Sequence, residues 1–217
     1  MSDARASSAP VVAAIVAIFA VRDGRLHVLL VHRSGPPEED TWALPGGRWD
    51  GVETLEAAAD RVLARETGVQ DLYLEQLFTA SGLDGAQPSV AVAYIALVEP
   101  STVRLRQEEA WRPAWFPVDD LPLLAFKNNE VIDQAVRRVG AKLDYSNIAY
   151  GLLPEQFTLR DLQTTYEAIL RKDLDRRNFR KRMISTGLIE PTGATRREGA
   201  HRPAALYRFA SREPVVL

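Results

Sequence analysis

Residues 47–69 read GRWDGVETLEAAADRVLARETGV, and this stretch predicts a glycine-containing loop that leads into an amphipathic helix. Apolar residues from Leu55 to Leu63 recur at the spacing that places side chains on one face of a helix. Gly68 follows the last apolar turn, where a glycine commonly ends a helix. The stretch therefore predicts a helix over residues 54–66 with one apolar face.

Strand signals lie on both sides of this helix. Residues 10–21 are rich in Val and Ile and run into Asp23-Gly24, a hairpin turn signal, after which residues 26–31 supply a second strand. Further strands are predicted at residues 42–44, 72–78, 90–98 and 115–116, and a second helix at residues 129–143. Strands that alternate with helices predict an α/β layered domain.

The composition is that of an ordinary globular protein, with 217 residues, 46% hydrophobic and 26% charged. The lack of cysteine excludes a disulfide scaffold, a cysteine-ligated zinc site, an iron–sulfur cluster and a thiol nucleophile, and it points to a reducing compartment. The apolar segment 10–21 is too short for a membrane helix and has no cleavage pattern after it. We therefore expect a soluble, cytoplasmic protein with no membrane partner.

The charged residues and glycines of the opening stretch resemble the Nudix box, G-x5-E-x7-R-E-U-x-E-E-x-G-U, where U is apolar. The matching positions are Gly47, Glu53, Arg61, Glu66 and Gly68. Residues 42–47 (WALPGG) also fit the usual lead-in of that family. The resemblance implies the α/β/α sandwich fold of Nudix domains.

Two of the three metal-binding glutamates of the Nudix pattern are absent. They belong at positions 62, 65 and 66, which share one helix face, and this chain has Val62, Arg65 and Glu66 there. Hydrolysis of a nucleoside diphosphate-X needs divalent cations held by carboxylates. The chain is therefore predicted to have no catalytic residues, no metal site and no required cofactor. Weak Mg²⁺ binding at Glu66 and weak residual hydrolysis are left open, and Glu53 and Arg61 are either catalytic or a pair that ties loop to helix.

A pocket that has lost turnover can still bind its ligand. Glycines let a phosphate approach the backbone, arginines can contact diphosphate oxygens, and a tryptophan can stack on a base. The predicted ligand-binding residues are Arg33, Trp42, Gly46, Gly47, Arg48, Glu53, Arg65 and Glu66. A solvated surface position is an equal alternative for Arg33 and Arg48, and a place in the core is an alternative for Trp42.

The sequence after the first domain predicts two consecutive helices followed by a β-hairpin. Residues 145–154 are predicted as a connector and a candidate hinge. Thr158 to Asp161 carry a helix-start signal, and Asp175 can cap a second helix that ends at Gly187. This order is typical of a winged helix-turn-helix, whose second helix enters the major groove of DNA.

Basic residues are concentrated in this second part. Residues 151–217 contain 13 Lys/Arg and 8 Asp/Glu, a net charge of +5, which leaves −7 for residues 1–150. On the second helix Phe179 and Met183 are predicted to face a core, and Ile184 interrupts the basic arc. The predicted DNA-binding residues are Arg176, Arg177, Asn178, Arg180 and Lys181 on the helix, and Arg196, Arg197, His201 and Arg202 on the wing. A bystander role explains His201 equally well.

The two parts together resemble the Nudix-related transcriptional regulators of NAD metabolism (NrtR). The resemblance runs from Val11 to Phe209, and its most distinctive parts are residues 142–150 (KLDYSNIAY), 153–159 (LPEQFTL), 178–180 (NFR) and 202–209. It implies a Nudix-like ligand-sensing domain over residues 1–150 and a winged helix-turn-helix DNA-binding domain over residues 151–217. It also implies a homodimer on a palindromic double-stranded operator, released from promoters of NAD biosynthesis or salvage genes by ADP-ribose or a related nucleotide.

One departure from the family bears on the effector. Members often carry Asp-His after a Leu-Ala-Phe motif, where this chain has Lys127-Asn128. A sugar-responsive Nudix-type regulator is therefore an alternative. Two others are an active Nudix hydrolase (an ADP-ribose pyrophosphatase) with a C-terminal dimerisation domain, and a protein-interaction module whose basic tail is accidental.

Overall fold

A mixed β-sheet forms the centre of the N-terminal part. The computed structural model describes residues 10–36, 38–68, 73–82, 89–105, 112–197 and 203–215. Within these ranges the sheet contains β1 (Val11–Arg22), β2 (Arg25–His32), β3 (Trp42–Ala43), β4 (Gly46–Arg48), β5 (Leu74–Ser81), β6 (Ser89–Leu97) and β7 (Arg112–Pro117). The main path runs β3-β2-β1-β6-β5, with β4 paired to β1 and β7 to β2.

Strand β1 is buried on both faces, which explains its continuous apolar sequence. It pairs in parallel with β6 and antiparallel with β2. Ala14, Val16 and Ile18 pack on one side of the sheet, and Ala17 and Phe19 pack on the other. The strand predicted at residues 10–21 is confirmed.

The turn between β1 and β2 has the geometry that its sequence predicts. Asp23 and Gly24 have φ values of 49° and 72°. Positive φ at both central residues defines the two-residue turn whose twist matches an antiparallel hairpin.

One helix covers each face of this sheet. Helix α1 (Leu55–Thr67) packs its buried residues against the Ala14 side, and α2 (Asn128–Lys142) packs against the Phe19 side. The Thr54 side chain caps α1 by accepting from the amide of Ala57 at 3.1 Å, and Gly68 ends the helix with a φ of 70°. The predicted α/β/α sandwich is confirmed.

The C-terminal part is a winged helix. It consists of β8 (Phe157–Thr158), α3 (Leu159–Leu170), α4 (Arg176–Ser185), β9 (Ile189–Arg196) and β10 (Ala204–Phe209), and β10 lies between β8 and β9 in a three-stranded sheet. Thr158 and Asp161 form a reciprocal capping box at the start of α3, and Asp175 caps α4 through the amide of Asn178 at 2.8 Å. Both helix starts were predicted.

The connector between the two parts is buried. A short 3₁₀ turn, Ile148–Leu152, has every residue inside the core. A Cβ on Gly151 would lie 2.9 Å from Leu97 Cβ and 3.0 Å from Leu97 O, so this turn sits directly on β6. The predicted hinge is therefore no loose linker, and the predicted boundary between residues 150 and 151 falls within the turn and stays a prediction.

The segment after β10 folds back onto the connector. The Asn147 side chain donates to the carbonyl oxygens of Ser211 and Glu213, both at 2.9 Å, and accepts from the Val215 amide at 2.8 Å. Arg212 donates to the carbonyl of Tyr150 at 2.9 Å. We call residues 211–215 the clasp.

Of the two hydrophobic clusters among the described residues, one runs through both parts. It includes Phe19 and Ile132 from the sandwich, Ile148 from the connector, and Phe157 and Leu162 from the winged helix. A Cβ on Gly24 would lie 3.8 Å from Thr164 Cγ2, so α3 also contacts the β1–β2 turn. In the described parts of the chain, no helix has the length and apolarity needed to cross a membrane.

Candidate nucleotide pocket and DNA-binding surface

Two glycines begin the loop before α1, and their environments differ. A Cβ on Gly46 would lie 2.8 Å from Ile15 Cγ2 and 3.0 Å from Ala14 O. A Cβ on Gly47 would meet Val62 Cγ2 at an ordinary 3.8 Å. The close approach of β4 to β1 therefore requires glycine at position 46, and the predicted phosphate contacts of both glycines stay predictions.

Arg65 bridges two oxygen atoms beside this loop. Its Nε donates to Glu66 Oε1 at 2.7 Å, and its Nη2 donates to the Gly46 carbonyl oxygen at 3.4 Å. Glu66 is fully buried, whereas the Arg65 side chain is 34% exposed. The guanidinium thus places a fixed positive charge between a buried carboxylate and a main-chain carbonyl.

Position 62, the other position at which the Nudix pattern has a metal-binding glutamate and this chain does not, is apolar. Val62 is fully buried and packs with Ala14, Val16 and Leu63 between α1 and the sheet. Hard cations take carboxylate, carbonyl and water oxygens, and this site offers one carboxylate that is already paired with Arg65. The residues present do not fit a Nudix metal centre. The described ranges also contain no cluster of three or more Asp, Glu or His able to hold a metal.

Glu53 and Arg61 connect the loop to the helix. Arg61 Nε donates to Glu53 Oε1 at 3.0 Å, and a second hydrogen bond joins Arg61 Nη2 to the same oxygen. The hydrogen bond that Arg61 donates to the Glu53 carboxylate raises the pKa of Arg61 above its ordinary value. Trp49 Nε1 also donates to the Glu53 carbonyl at 2.6 Å. The pairing that ties loop to helix is present, and a ligand contact by Glu53 stays a prediction.

Of the remaining predicted pocket residues, Arg33 and Trp42 lie at the β2–β3 end of the sheet, and Arg48 lies at the end of β4. Trp42 is partly buried and makes edge-to-face contacts with His32 and Phe116, at centroid distances of 5.1 and 4.6 Å. The Arg33 guanidinium lies 4.5 Å above the ring of Phe126, and Arg48 is exposed. Core packing of Trp42 is therefore observed, and base stacking by Trp42 stays a prediction.

Residues at the start of α2 pack near this end of the sheet, and although Lys127-Asn128 departs from the family pattern, none of them was among the predicted ligand-binding residues. Phe126 and Lys127 both have a φ of 54°, an unusual left-handed conformation for side chains of this size. The Phe126 amide donates to Glu38 Oε2 at 2.8 Å. Buried Asn128 accepts from the Leu44 amide at 2.8 Å, which ties α2 to the loop before Gly46. No periodicity signals such contacts, because the partners lie far apart in sequence.

Helix α4 presents a basic face to solvent. Phe179 and Met183 are buried, and Phe179 contacts the Tyr166 ring edge-to-face at 5.1 Å. These contacts fix the inner face, and burial raises the pKa of Tyr166 to about 12. The predicted DNA-binding residues of the helix are all exposed: Arg176, Arg177, Asn178, Arg180 and Lys181.

The wing residues have different environments. Arg196 donates to Asp161 Oδ2 at 2.7 Å, so it joins β9 to the capping box of α3. Arg197 is exposed, whereas His201 and Arg202 lie outside the described residues. Arg196 thus has a structural partner within the domain, and DNA contact by any wing residue stays a prediction.

Comparison with known proteins gives two domain matches. The NUDIX domain matches residues 11–139, and the NrtR DNA-binding winged helix domain matches residues 149–209. The chain is 37% identical over 207 residues to the ADPR responsive transcriptional repressor NtrR of Acinetobacter baylyi, covering 93% of this chain and 82% of that protein.

Two solved structures are similar over long stretches. Shewanella oneidensis NrtR in complex with a 27mer DNA has a TM-score of 0.83 and 35% identity, over 91% of this chain and 93% of that chain. The NUDIX domain of the same Shewanella protein in complex with ADP ribose has a TM-score of 0.55 and 34% identity, over 64% of this chain and 94% of that chain.

Proposed function

The chain belongs to the Nudix-related NrtR family of transcriptional regulators, and on that premise we propose that it is a repressor that ADP-ribose or a related nucleotide releases from operator DNA. The genes it controls in this proposal serve NAD biosynthesis or salvage. It binds a palindromic operator as a homodimer, with two α4 helices in major grooves about 34 Å apart. Because it shares a compartment with its DNA, its cytoplasmic location is part of the proposal.

The observation that carries the proposal is the exposed face of α4. The five predicted DNA-contacting side chains on this helix all reach solvent, while Phe179 and Met183 anchor the opposite face. Arg182 is directed elsewhere and donates to Asp144 Oδ1 at 3.1 Å. A rigidly anchored helix with a basic outer face suits insertion into the major groove, where arginine can bridge guanine O6 and N7.

We infer that the Nudix unit binds its nucleotide without efficient hydrolysis. Arg65 supports this inference, because its guanidinium contacts Glu66 and the Gly46 carbonyl, oxygens of the kind that a divalent cation requires. A tethered guanidinium can offset the charge of a diphosphate, but it cannot activate a water molecule as a metal ion does. The chain therefore needs no metal cofactor for its regulatory role.

Ligand binding reaches α4 through the shared core in this proposal. The pocket loop is joined to α2 through Asn128, α2 packs on α3, and α3 packs on α4. A nucleotide that binds one arrangement of these helices more tightly shifts the population toward it. If that arrangement misplaces the two α4 helices of the dimer, operator affinity falls by the same coupling free energy.

Fluorescence anisotropy tests this function. The probe is a labelled duplex from upstream of the protein's own gene, titrated with the full chain and then with ADP-ribose, NAD or simple sugars, with and without Mg²⁺. We expect steeply salt-dependent binding that ADP-ribose reverses without Mg²⁺. Release by a sugar alone would assign the effector to the sugar-responsive class, and binding no tighter than to bulk DNA would refute the regulator.

A parallel assay tests the hydrolase alternative. The full chain and its Glu66→Gln variant are incubated separately with ADP-ribose and Mg²⁺, and the AMP released is measured in each sample. We expect no turnover above background in either sample. Mg²⁺-dependent release of AMP that Glu66→Gln abolishes would overturn the inference that hydrolysis has been lost.

A further inference from the structure

An isolated apolar side chain lies on the basic face of α4, in the last turn of the helix. Ile184 is 50% exposed, although the helix has its inner face filled by Phe179 and Met183. On a helix, Ile184 shares a face with the residues three, four and seven positions earlier, Lys181, Arg180 and Arg177. The same three residues, with Asn178, Ile184 and Ser185, line one open groove on this surface.

Packing within the domain does not account for Ile184. The hydrophobic core of the described residues includes Phe179, Met183 and Leu188 around this helix, but Ile184 is not part of it. A single exposed isoleucine on a protein surface needs no explanation by itself. Here its neighbours are all basic or polar, which restricts the partners that could cover it.

The charges around Ile184 select a polyanion that also presents a small apolar group. The major groove of DNA meets both conditions, because phosphates line it and the 5-methyl group of thymine projects into it. Arginine and lysine side chains can then contact phosphates or guanine while the isoleucine covers the methyl group. An acidic protein surface could also cover one isoleucine, but the match of residues 149–209 to a DNA-binding winged helix domain favours DNA as the partner of this face.

We propose that Ile184 contacts the 5-methyl group of a thymine in the major groove and makes one A·T pair in each half-site a determinant of specificity. This inference rests on the proposed DNA-binding function and adds to it a particular base. Arg177, Arg180 and Lys181 supply the surrounding charge.

The test removes the methyl group from the DNA and the side chain from the protein. Full-length protein first selects its preferred duplex from a random library. Each thymine of that duplex is then replaced by deoxyuridine, which lacks only the 5-methyl group, and affinities are measured by anisotropy for the wild type and Ile184→Ala. Because Ile184 is exposed, its replacement should leave the melting temperature unchanged, and circular dichroism checks this.

We expect one thymine per half-site at which deoxyuridine weakens wild-type binding roughly three- to tenfold, as burial of one methyl group predicts. Ile184→Ala should bind the thymine duplex more weakly by a similar factor, and deoxyuridine should weaken it no further. Ile184→Val retains a branched apolar group and should remain sensitive to deoxyuridine. Lys181→Ala is the matched control on the same face, and it should weaken both duplexes equally.

Two results would overturn the inference. One is a wild-type protein that tolerates deoxyuridine at every thymine, and the other is an Ile184→Ala variant that keeps full sensitivity at the critical thymine. Failure of the wild type to select any duplex over bulk DNA would refute the regulator itself, and the thymine contact with it. The first two outcomes leave DNA binding intact, so the two failures are distinguishable.

Discussion

Arg65 shows how one side chain can change the chemistry of an inherited loop. In the Nudix pattern this position carries a carboxylate, and here a cation contacts Glu66 and the Gly46 carbonyl instead. The sequence predicted the loss of metal ligands from residue identities alone. It could not predict that the arginine would turn toward Glu66, because a partly exposed arginine can adopt many rotamers.

Replacement of Arg65 by glutamate should make the stability of the protein depend on a divalent cation. Arg65→Glu places a second carboxylate beside buried Glu66, and we expect it to lower the free energy of unfolding by about 3–5 kcal/mol in EDTA. Millimolar Mg²⁺ should recover part of that loss, because a divalent cation can bind between the two acids. Urea unfolding with and without Mg²⁺ measures both effects.

Arg65→Gln is the control for this experiment. It removes the positive charge without adding a negative one, so we expect a smaller loss of about 1–3 kcal/mol. Mg²⁺ should leave its stability unchanged. Equal recovery of both variants by Mg²⁺ would show that the metal acts elsewhere.

At the scale of elements, an ion cluster attaches α2 to the edge of the sheet. Glu75 on β5 accepts hydrogen bonds from Lys142, from Tyr73 and, at 3.1 Å, from Arg138. Burial acts to raise the pKa of Glu75, but the hydrogen bonds from Lys142, Tyr73 and Arg138 outweigh it and hold that pKa below its ordinary value.

This lowered pKa makes part of the stability dependent on pH. The unfolded chain protonates Glu75 at a higher pH than the folded chain does, so the contribution is complete above the ordinary glutamate pKa of about 4.5 and disappears as the pH falls further. We expect Glu75→Gln to lower the unfolding free energy by about 1–3 kcal/mol at pH 7. The difference from the wild type should shrink toward pH 3.

Urea titrations at several pH values measure this dependence, with exposed Glu155→Gln as the control. The control should follow the wild type throughout. A deficit in Glu75→Gln that stays constant from pH 7 to pH 3 would show that the carboxylate charge is not responsible.

The clasp is an element-scale contact that depends on one amide side chain. Asn147 is 1% exposed, and its side chain makes three hydrogen bonds to residues 211–215. We expect Asn147→Ala to lower the unfolding free energy by about 2–4 kcal/mol, because it removes the three hydrogen bonds of a buried amide.

A double-mutant cycle isolates the clasp. Deletion of the chain from Ser211 onward should cost at least as much free energy, because it also removes the hydrogen bond from Arg212 to Tyr150. Asn147→Ala should add little to the deletion, since its three partners are already gone. Fully additive losses would mean that Asn147 stabilises the connector independently of the clasp.

The sequence predicted elements better than it predicted their connections. Thr54, Thr158 and Asp175 carry cap chemistry that acts over three residues, so helix starts are readable from local sequence. The connector at residues 145–154 has neither helical nor strand periodicity. Its burial depends on Leu97 and on the clasp, which are distant in sequence and have no local signal.

The whole molecule should unfold as one unit, because the core that includes Phe19 and Phe157 extends across both parts. Substitution of two glycines at the junction tests whether the core is continuous, because one change should lower stability and the other should raise it. Gly151→Ala would place a Cβ 2.9 Å from Leu97 Cβ, and we expect it to lower stability by about 1–3 kcal/mol. Gly140→Ala would place a Cβ 3.8 Å from Leu170 Cδ2, and we expect α2 to gain about 0.5–1 kcal/mol.

Calorimetry measures both variants. Each variant should show a single unfolding transition whose calorimetric and van't Hoff enthalpies agree. The transition temperature should fall for Gly151→Ala and rise for Gly140→Ala. Two separated transitions, of which only one responds, would show that the parts unfold independently.

The continuous core also bears on how regulators of this kind can diversify. A DNA-reading part attached by a loose linker can be exchanged for another without regard to its neighbour. Here Phe157 and Leu162 pack in the same interior as Phe19, so a transplanted winged helix must bring side chains that fit a foreign sandwich. We therefore expect exchange of whole halves to disrupt this interior, whereas point substitutions at the two outer surfaces leave it intact.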